Sequence, residues 1–249
     1  MIPTRFAAVP AAPLRESASL WDNLPPPQPA SADPQPMERY GQAYGYILYR
    51  TRVQGPRKGA LYLGEIRDYA RVYVDRRLAG TAERRLQQVS VDLDLPAGEH
   101  VVDVLVENSG RINYGPRMAD GRAGLVDPVF LGGEPLKGWQ AFPLPMDAPD
   151  SIRGWTTAPV AGPAFHRGTL KIAAPADTYL DLQSFGKGFA WANGRNLGRH
   201  WRIGPQRALY FPAPWQRRGD NTVIVFDLDA VAQPSVRGVE RQVWSTPQH

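Results

Sequence analysis

Cysteine is absent from the 249-residue chain, which excludes disulfides, thiol nucleophiles and cysteine-ligated metal centres. Lysine is scarce: only positions 58, 137, 171 and 187 among 29 basic residues, and no run of five basic residues occurs. A net charge of +5 spread over scattered arginines offers no stripe for nucleic acid, so no nucleic-acid partner is expected. No apolar stretch approaches the roughly 20 residues of a membrane-spanning helix, and no membrane partner is expected either. Pro3, Pro10 and Pro13 interrupt the apolar residues that an N-terminal signal peptide would need. The sequence therefore reads as soluble and not exported on its own, with its compartment left open. The four histidines (100, 166, 200, 249) show no ligand-like spacing, so neither a metal nor another cofactor is expected. Gly186-Lys187-Gly188 lacks the following helix of a phosphate-binding loop, and no serine sits in a G-x-S-x-G context. Helical periodicity is missing too: Glu83 to Val89 reads as one turn at most.

What the chain does contain is 25 prolines, 24 glycines and many short β-prone runs. Tyr44 to Val53 is almost continuously apolar, as a strand buried on both faces would be. Arg71 to Asp75 and Val89 to Leu95 alternate with period two, and Pro96-Ala97-Gly98 reads as a turn into the apolar run 101–106. Ala60–Leu63, 124–131 and 139–144 follow the same logic, as do 165–172, 178–182, 208–211 and 222–226. Asn193-Gly194 between Phe189-Ala190-Trp191-Ala192 and Arg195-Asn196-Leu197-Gly198 is a strong hairpin signal, because both central residues of a type I′ turn need positive φ. Short strands separated by Gly, Pro and Asn turns predict an all-β protein of antiparallel sandwiches.

Two stretches are dense in motif. Residues 186–226 contain GKGFAWANGRNLGRHWRIGPQRALYFP, and residues 105–115 read LVENSGRINYG. Both closely resemble the β-domains of family 35 glycoside hydrolase β-galactosidases, as does YGQAYGYILYRT at 40–51. The resemblance covers nearly everything after about residue 14. It implies two consecutive jelly-roll, galactose-binding-like β-sandwiches from the C-terminal region of such an enzyme. The expected division is a Pro-rich linker or arm at 1–36, a first sandwich at 37–135, a second at 136–240 and a tail at 241–249, with the polar, Pro-interrupted stretch from Val231 onward expected to fray. In that family hydrolysis of terminal β-galactosides with retention is performed by two glutamates of a (β/α)₈ barrel, which takes about 250 residues of alternating strands and helices. This chain shows no such alternation, so no catalytic residue is assigned. Met1 would then fall inside a longer ancestral gene. The implied partners are a catalytic barrel, which Leu20, Trp21 and Leu24 of the arm could dock against, and a galactoside glycan.

Among individual residues, Glu107 ends an apolar strand. It is either an acid/base or sugar ligand, or a structural carboxylate paired with Arg111 or another arginine while Asn108 and Asn113 hold the loop before Tyr114. The structural reading is the stronger, since buried carboxylates are usually paired. Trp191, alternating with Phe189, reads as core, with Asn193 and Gly194 as its turn. Trp201, placed in a loop beside Arg199, is the more accessible aromatic; with Arg195 and Asn196 it forms the candidate carbohydrate-binding set, against the alternative that these residues only pack or solvate. Tyr210 and Trp215 are further stacking candidates.

Overall fold

The longest strands set the architecture. Gly45–Tyr62 and Ser90–Asn108 run antiparallel along almost their whole length, pairing Gly45 with Asn108 and Tyr62 with Ser90. The expected turn at Pro96-Ala97-Gly98 is not one: the strand continues through it, and the register shifts between Gly55 and Arg57 on the partner. Pro56 and Pro96 have no N–H to donate, so the ladder is interrupted there as a bulge and both strands continue. Val91, Leu93 and Leu95 from one half and Val102, Val104 and Val106 from the other join one core cluster with Ile47, Tyr49, Leu131 and Trp139. The sheet order is Glu134–Pro135, Phe130–Leu131, Gly45–Tyr62, Ser90–Asn108, Tyr69–Val74, Arg77–Glu83; Gln140–Leu144 also pairs with Gly45–Tyr62. Tyr46 and Leu48, on the opposite face from Ile47 and Tyr49, are fully buried as well, matching the double-sided burial expected of this run. The closing strand expected at 124–131 is two short pieces, Gly124–Leu125 and Phe130–Leu131, with Gly124–Leu125 pairing instead with Ile66–Arg67. Arg84–Leu86 is a single 3-10 turn.

This computed structural model describes residues 6–244, and among them there is no α-helix. The contacts divide the chain into a unit of residues 24–146 and another formed from both flanks, up to Asn23 and from Asp147 onward. The two sandwiches are therefore nested in the sequence rather than consecutive.

The flanking unit is a sandwich of two sheets. One has the order Arg195–Trp201, Lys187–Ala192, Gly219–Asp227, Ala164–Ile172, Glu16–Ser19; the other Val9–Pro13, Ser235–Val239, Thr178–Asp181, Ala208–Phe211. Their facing side chains make one cluster, with Leu14, Leu170, Ala190, Val223 and Val225 meeting Val9, Leu180, Leu209, Phe211 and Val236. Stacking two sheets at ~10 Å in this way is what alternating apolar strands are built for.

Two expectations fail here for one reason. The N-terminal stretch is not an arm: it contributes a strand to each sheet, and Leu20 and Trp21 are buried, so they are not free to dock. The stretch from 231 onward is not frayed: Ser235–Val239 lies between Val9–Pro13 and Thr178–Asp181. Each strand has its partner at the other end of the chain, so no neighbouring turn announces it. The Pro-rich residues 25–36 do run extended; Gln28 and Ser31 donate backbone hydrogen bonds to Ala141 and Trp139. Of the expected tail, 245–249 lies outside the described residues, while Trp244 bridges to Gln206.

Candidate functional site

The hairpin Lys187–Ala192/Arg195–Trp201 forms as its turn predicts, with Asn193 at φ 51° and Gly194 at φ 77°. Asn193 does more than turn the chain. Its Nδ2 donates to Trp215 O (2.9 Å) and Asn221 Oδ1 (2.8 Å), and its Oδ1 accepts from Thr222 N (3.1 Å), tying this turn to the next. Trp191 is buried, donates from Nε1 to Asp147 O, and packs with Phe189 and Phe165 at ring separations of 6.1 and 6.4 Å. It is a packing residue.

The candidate sugar set is rearranged. Trp201 is the last residue of a strand rather than part of a loop, half-buried, with the buried Lys187 ammonium 3.6 Å from its ring centre. Asn196, Arg199 and Trp201 stand opposite Trp191, Phe189 and Lys187 and so share their face of the sheet. Asn196 spends its Oδ1 on Gly198 N (2.7 Å), and Arg195 lies 5.1 Å over the Trp215 ring. Tyr210 is exposed on the other sheet, its hydroxyl donating to Asp177.

In the other unit, Glu107 is buried and accepts from Tyr46 OH at 3.2 Å. Of the pairings expected for it, with Arg111 or with another arginine, the one with Arg111 does not form. Arg111 instead clamps Glu38 and the Gly121 and Ala43 carbonyls, because the chain turns away immediately after Asn108. Asn108 holds the turn as expected, donating to Ala43 O and accepting from Gly110 N, whereas Asn113 is exposed and makes no hydrogen bond among the described residues. The loop's foot is anchored by Arg67, only 2% exposed, whose guanidinium reaches the Asp120 and Arg122 carbonyls and the Asp120 carboxylate at 2.8–3.0 Å. Its span carries Tyr114, 89% exposed, and Met118, 58% exposed.

Sequence reasoning missed a buried polar group at one end of the flanking sandwich. Asp227 is fully buried, and burial pushes its carboxyl up to about 7; it accepts from Gly186 N and Asp229 N, both at 2.7 Å. His166 and His200 are buried on either side of Phe185, each ring 5.8 Å from it, and desolvation lowers each to about 4. His166 Nδ1 meets Ser17 Oγ at 2.9 Å, and His200 Nε2 meets Phe226 O at 3.1 Å. The spacing 227/229 was visible as two aspartates ending an apolar strand, but nothing in sequence showed that one of them is enclosed.

A retaining glycosidase needs two accessible carboxylates about 5–5.5 Å apart. Asp227 has both oxygens occupied by backbone donors in a closed site, and Glu107 is enclosed beneath Tyr46, so neither qualifies. Among the described residues no group of three or more His, Asp or Glu is placed to hold a metal ion, and no helix is long and apolar enough to cross a membrane.

Comparison with known proteins accords with this geometry. Residues 34–145 match the family model for the first all-β domain of β-galactosidase, and residues 163–221 match its galactose-binding domain. A β-galactosidase of Xanthomonas manihotis is 72% identical over 208 residues, spanning 84% of this chain and 35% of that enzyme. The human β-galactosidase-1-like protein 2 is 37% identical over 207 residues, 80% of this chain and 32% of that protein. A β-galacturonidase structure from Eisenbergiella tayi covers 98% of this chain and 38% of its own, at 13% identity and a TM-score of 0.30, too slight a likeness to argue from. The chain thus spans about a third of the length of these curated relatives. With both domain models satisfied in order, the chain belongs to the β-galactosidase family, as its all-β and galactose-binding domains.

Proposed function

We propose that this chain is the non-catalytic accessory portion of a family 35 β-galactosidase, and that it braces a catalytic barrel which hydrolyses terminal β-D-galactosides with retention. The observation that carries this reading is that the matched domain models are an all-β domain and a galactose-binding domain, in a chain 72% identical to a β-galactosidase yet spanning 35% of it. The docking element is not Leu20 and Trp21 of the N-terminal stretch, which are buried. The loop 109–122 fits the role better. Its foot is fixed by Arg67 and Arg111, and its span presents Tyr114 and Met118 to solvent. A rigid base with large exposed apolar groups is the arrangement that gains contact area without an ordering cost.

The test is to assay the purified chain with a chromogenic β-galactoside, alone and with a separately expressed barrel from the same family. The chain alone should be silent. It should co-purify with the barrel, and Tyr114→Ala with Met118→Ala should abolish co-purification while leaving the fold intact. Turnover by the chain alone, surviving a contamination control, refutes the non-catalytic assignment.

A further inference from the structure

Ser17 and His166 sit at the border of the flanking sandwich's core. They are directly opposed residues of Glu16–Ser19 and Ala164–Ile172, and Ser17 Oγ lies 2.9 Å from His166 Nδ1. Side chains alternate along a strand, so His166 shares its face with Leu170 and Ile172, which enter the core against the other sheet. Gly168 stands between them on that face. A Cβ there would lie 2.6 Å from Pro13 O, so glycine lets the backbone of 13–14 pass close over the strand. Leu14 N then donates to Pro234 O (2.8 Å), and Ser17 exchanges backbone hydrogen bonds with Thr156 at 2.7 and 2.9 Å. Segments 13–17, 157–161 and 230–235 are thereby gathered around an open cavity of about 1100 Å³, near the upper limit for small-molecule sites.

The cavity wall is apolar, formed by Pro13, Leu14, Pro159, Val160, Ala232 and Pro234 among others. Proline holds its φ fixed and has no N–H to give, so this wall is stiff and poor in hydrogen bonds. Its polar floor is the Ser17–His166 pair, 9% and 2% exposed. The pair has capacity that the protein does not use. His166 spends Nδ1 on Ser17 and its Nε2 is enclosed without a partner; the Ser17 hydroxyl, able both to donate and to accept, makes that one contact among the described residues. The pair is not a nucleophile. A catalytic histidine is oriented through its second nitrogen, unpartnered here, and desolvation holds this ring near 4, too weak a base. It is a hydrogen-bonding anchor instead. A saccharide, with a hydroxyl on nearly every carbon, would leave most of them unpaired against such a wall. We propose that the cavity binds a neutral alcohol or phenol, its apolar body against Leu14, Pro159 and Val160 and its single hydroxyl on Ser17, with His166 holding Ser17 in place. A ligand hydroxyl suits either tautomer of His166, since it can give or take whichever bond Ser17 has left. Alcohols and phenols are also what hydrolysis of alkyl and aryl β-galactosides releases beside the sugar. That link rests on the accessory reading above; the binding itself does not.

The experiment is titration of the full chain with 4-methylphenol, followed by amide chemical shifts, with toluene and methyl β-D-galactopyranoside alongside. Saturable shifts from 4-methylphenol should map to Ser17, Val160, His166 and Ala232. Ser17→Ala should weaken binding at least about tenfold, equivalent to about 1.4 kcal/mol. Toluene, which lacks the hydroxyl, should bind the wild type at least about tenfold more weakly for the same reason. The toluene comparison decides the matter by itself if the variant fails to fold. No shifts up to about 20 mM 4-methylphenol, some twenty times a weak millimolar Kd, would overturn the proposal. So would toluene binding as tightly as 4-methylphenol, or the galactoside shifting the same resonances. Tighter binding of 4-methylbenzoate, lost in Arg15→Ala, would make this an anion site at the exposed arginine of the cavity rim and equally overturn it. Co-purification with a barrel is a separate measurement, so this proposal and the accessory reading fail separately.

Discussion

Removing residues 1–23 should unfold the flanking sandwich. The stretch supplies an edge strand to each sheet, Val9–Pro13 against Ser235–Val239 and Glu16–Ser19 against Ala164–Ile172. It also buries Val9, Leu14, Leu20 and Trp21, each no more than 8% exposed. At about 1.5–3 kcal/mol per large apolar side chain, their loss removes roughly 6–12 kcal/mol, an upper range because the unfolded chain already buries some of this surface. Whole domains are stable by only about 5–15 kcal/mol. A chain beginning at Leu24 should therefore keep dispersed amide resonances for 24–146 and lose those of 147–244, and proteolysis should trim it to the inner unit. Leu14→Ala, in the full chain, is the graded version and should cost about 2–5 kcal/mol in urea unfolding. If the truncated chain retains dispersed resonances for 164–239, the N-terminal strands are dispensable and this account of the core is wrong.

Arg67→Met should lower stability by about 1–3 kcal/mol, since it strips the Asp120 and Arg122 carbonyls of their buried donor while Glu65 and Asp120 keep Arg84, Arg117 and Arg122, and should open loop 109–122 to protease. A cut rate equal to wild type would show that the loop is held otherwise. Asn193→Ala should cost roughly 2–4 kcal/mol through three lost hydrogen bonds and a left-handed backbone, with Asn193→Gly recovering part of it; equal urea midpoints for the two variants would discount the backbone contribution. Because His166 and His200 are held near 4, below the ordinary histidine value, their neutral forms stabilise the fold fully above about pH 6.5, and that contribution falls away as pH drops toward 4. Asp227, raised to about 7, has the opposite sign: its contribution is greatest in acid and declines as pH rises from about 4 to 7. His166→Gln should consequently flatten the acid limb, losing about 2.5 kcal/mol less than wild type between pH 6.5 and 4.5 in urea titrations; an unchanged slope would place the acid sensitivity elsewhere.

Local signals were the legible ones. Asn193-Gly194 announced its hairpin, and Ala208–Phe211 was readable to the residue, because turn chemistry and alternation are written within a few positions. Val9–Pro13 and Ser235–Val239 were not, since VPAAP has neither bulk nor clear alternation and its ladder is completed by distant residues. The continuous strand through Pro96-Ala97-Gly98 was hidden for a related reason: a bulge opposite Pro56 looks like a turn until its partner is known. The candidate site fared similarly. Trp201, Arg199, Asn196 and Arg195 were chosen for residue type, but strand pairing places three of them on the Phe189–Trp191 face. Ser17 and His166 stand 149 positions apart, and only the pairing of their strands makes them the floor of one cavity.

The nesting of one sandwich within the other has a consequence for synthesis. Val9 pairs with Gly238, so an early strand must wait for roughly 230 residues, about 10–45 s of translation at 5–20 residues per second. During that wait residues 24–146 can close on themselves, shortening the effective loop that the outer strands must bridge and easing its entropic cost. The inner unit thus acts as a folded spacer on the ribosome, and the outer sandwich is sealed only when its last strand emerges.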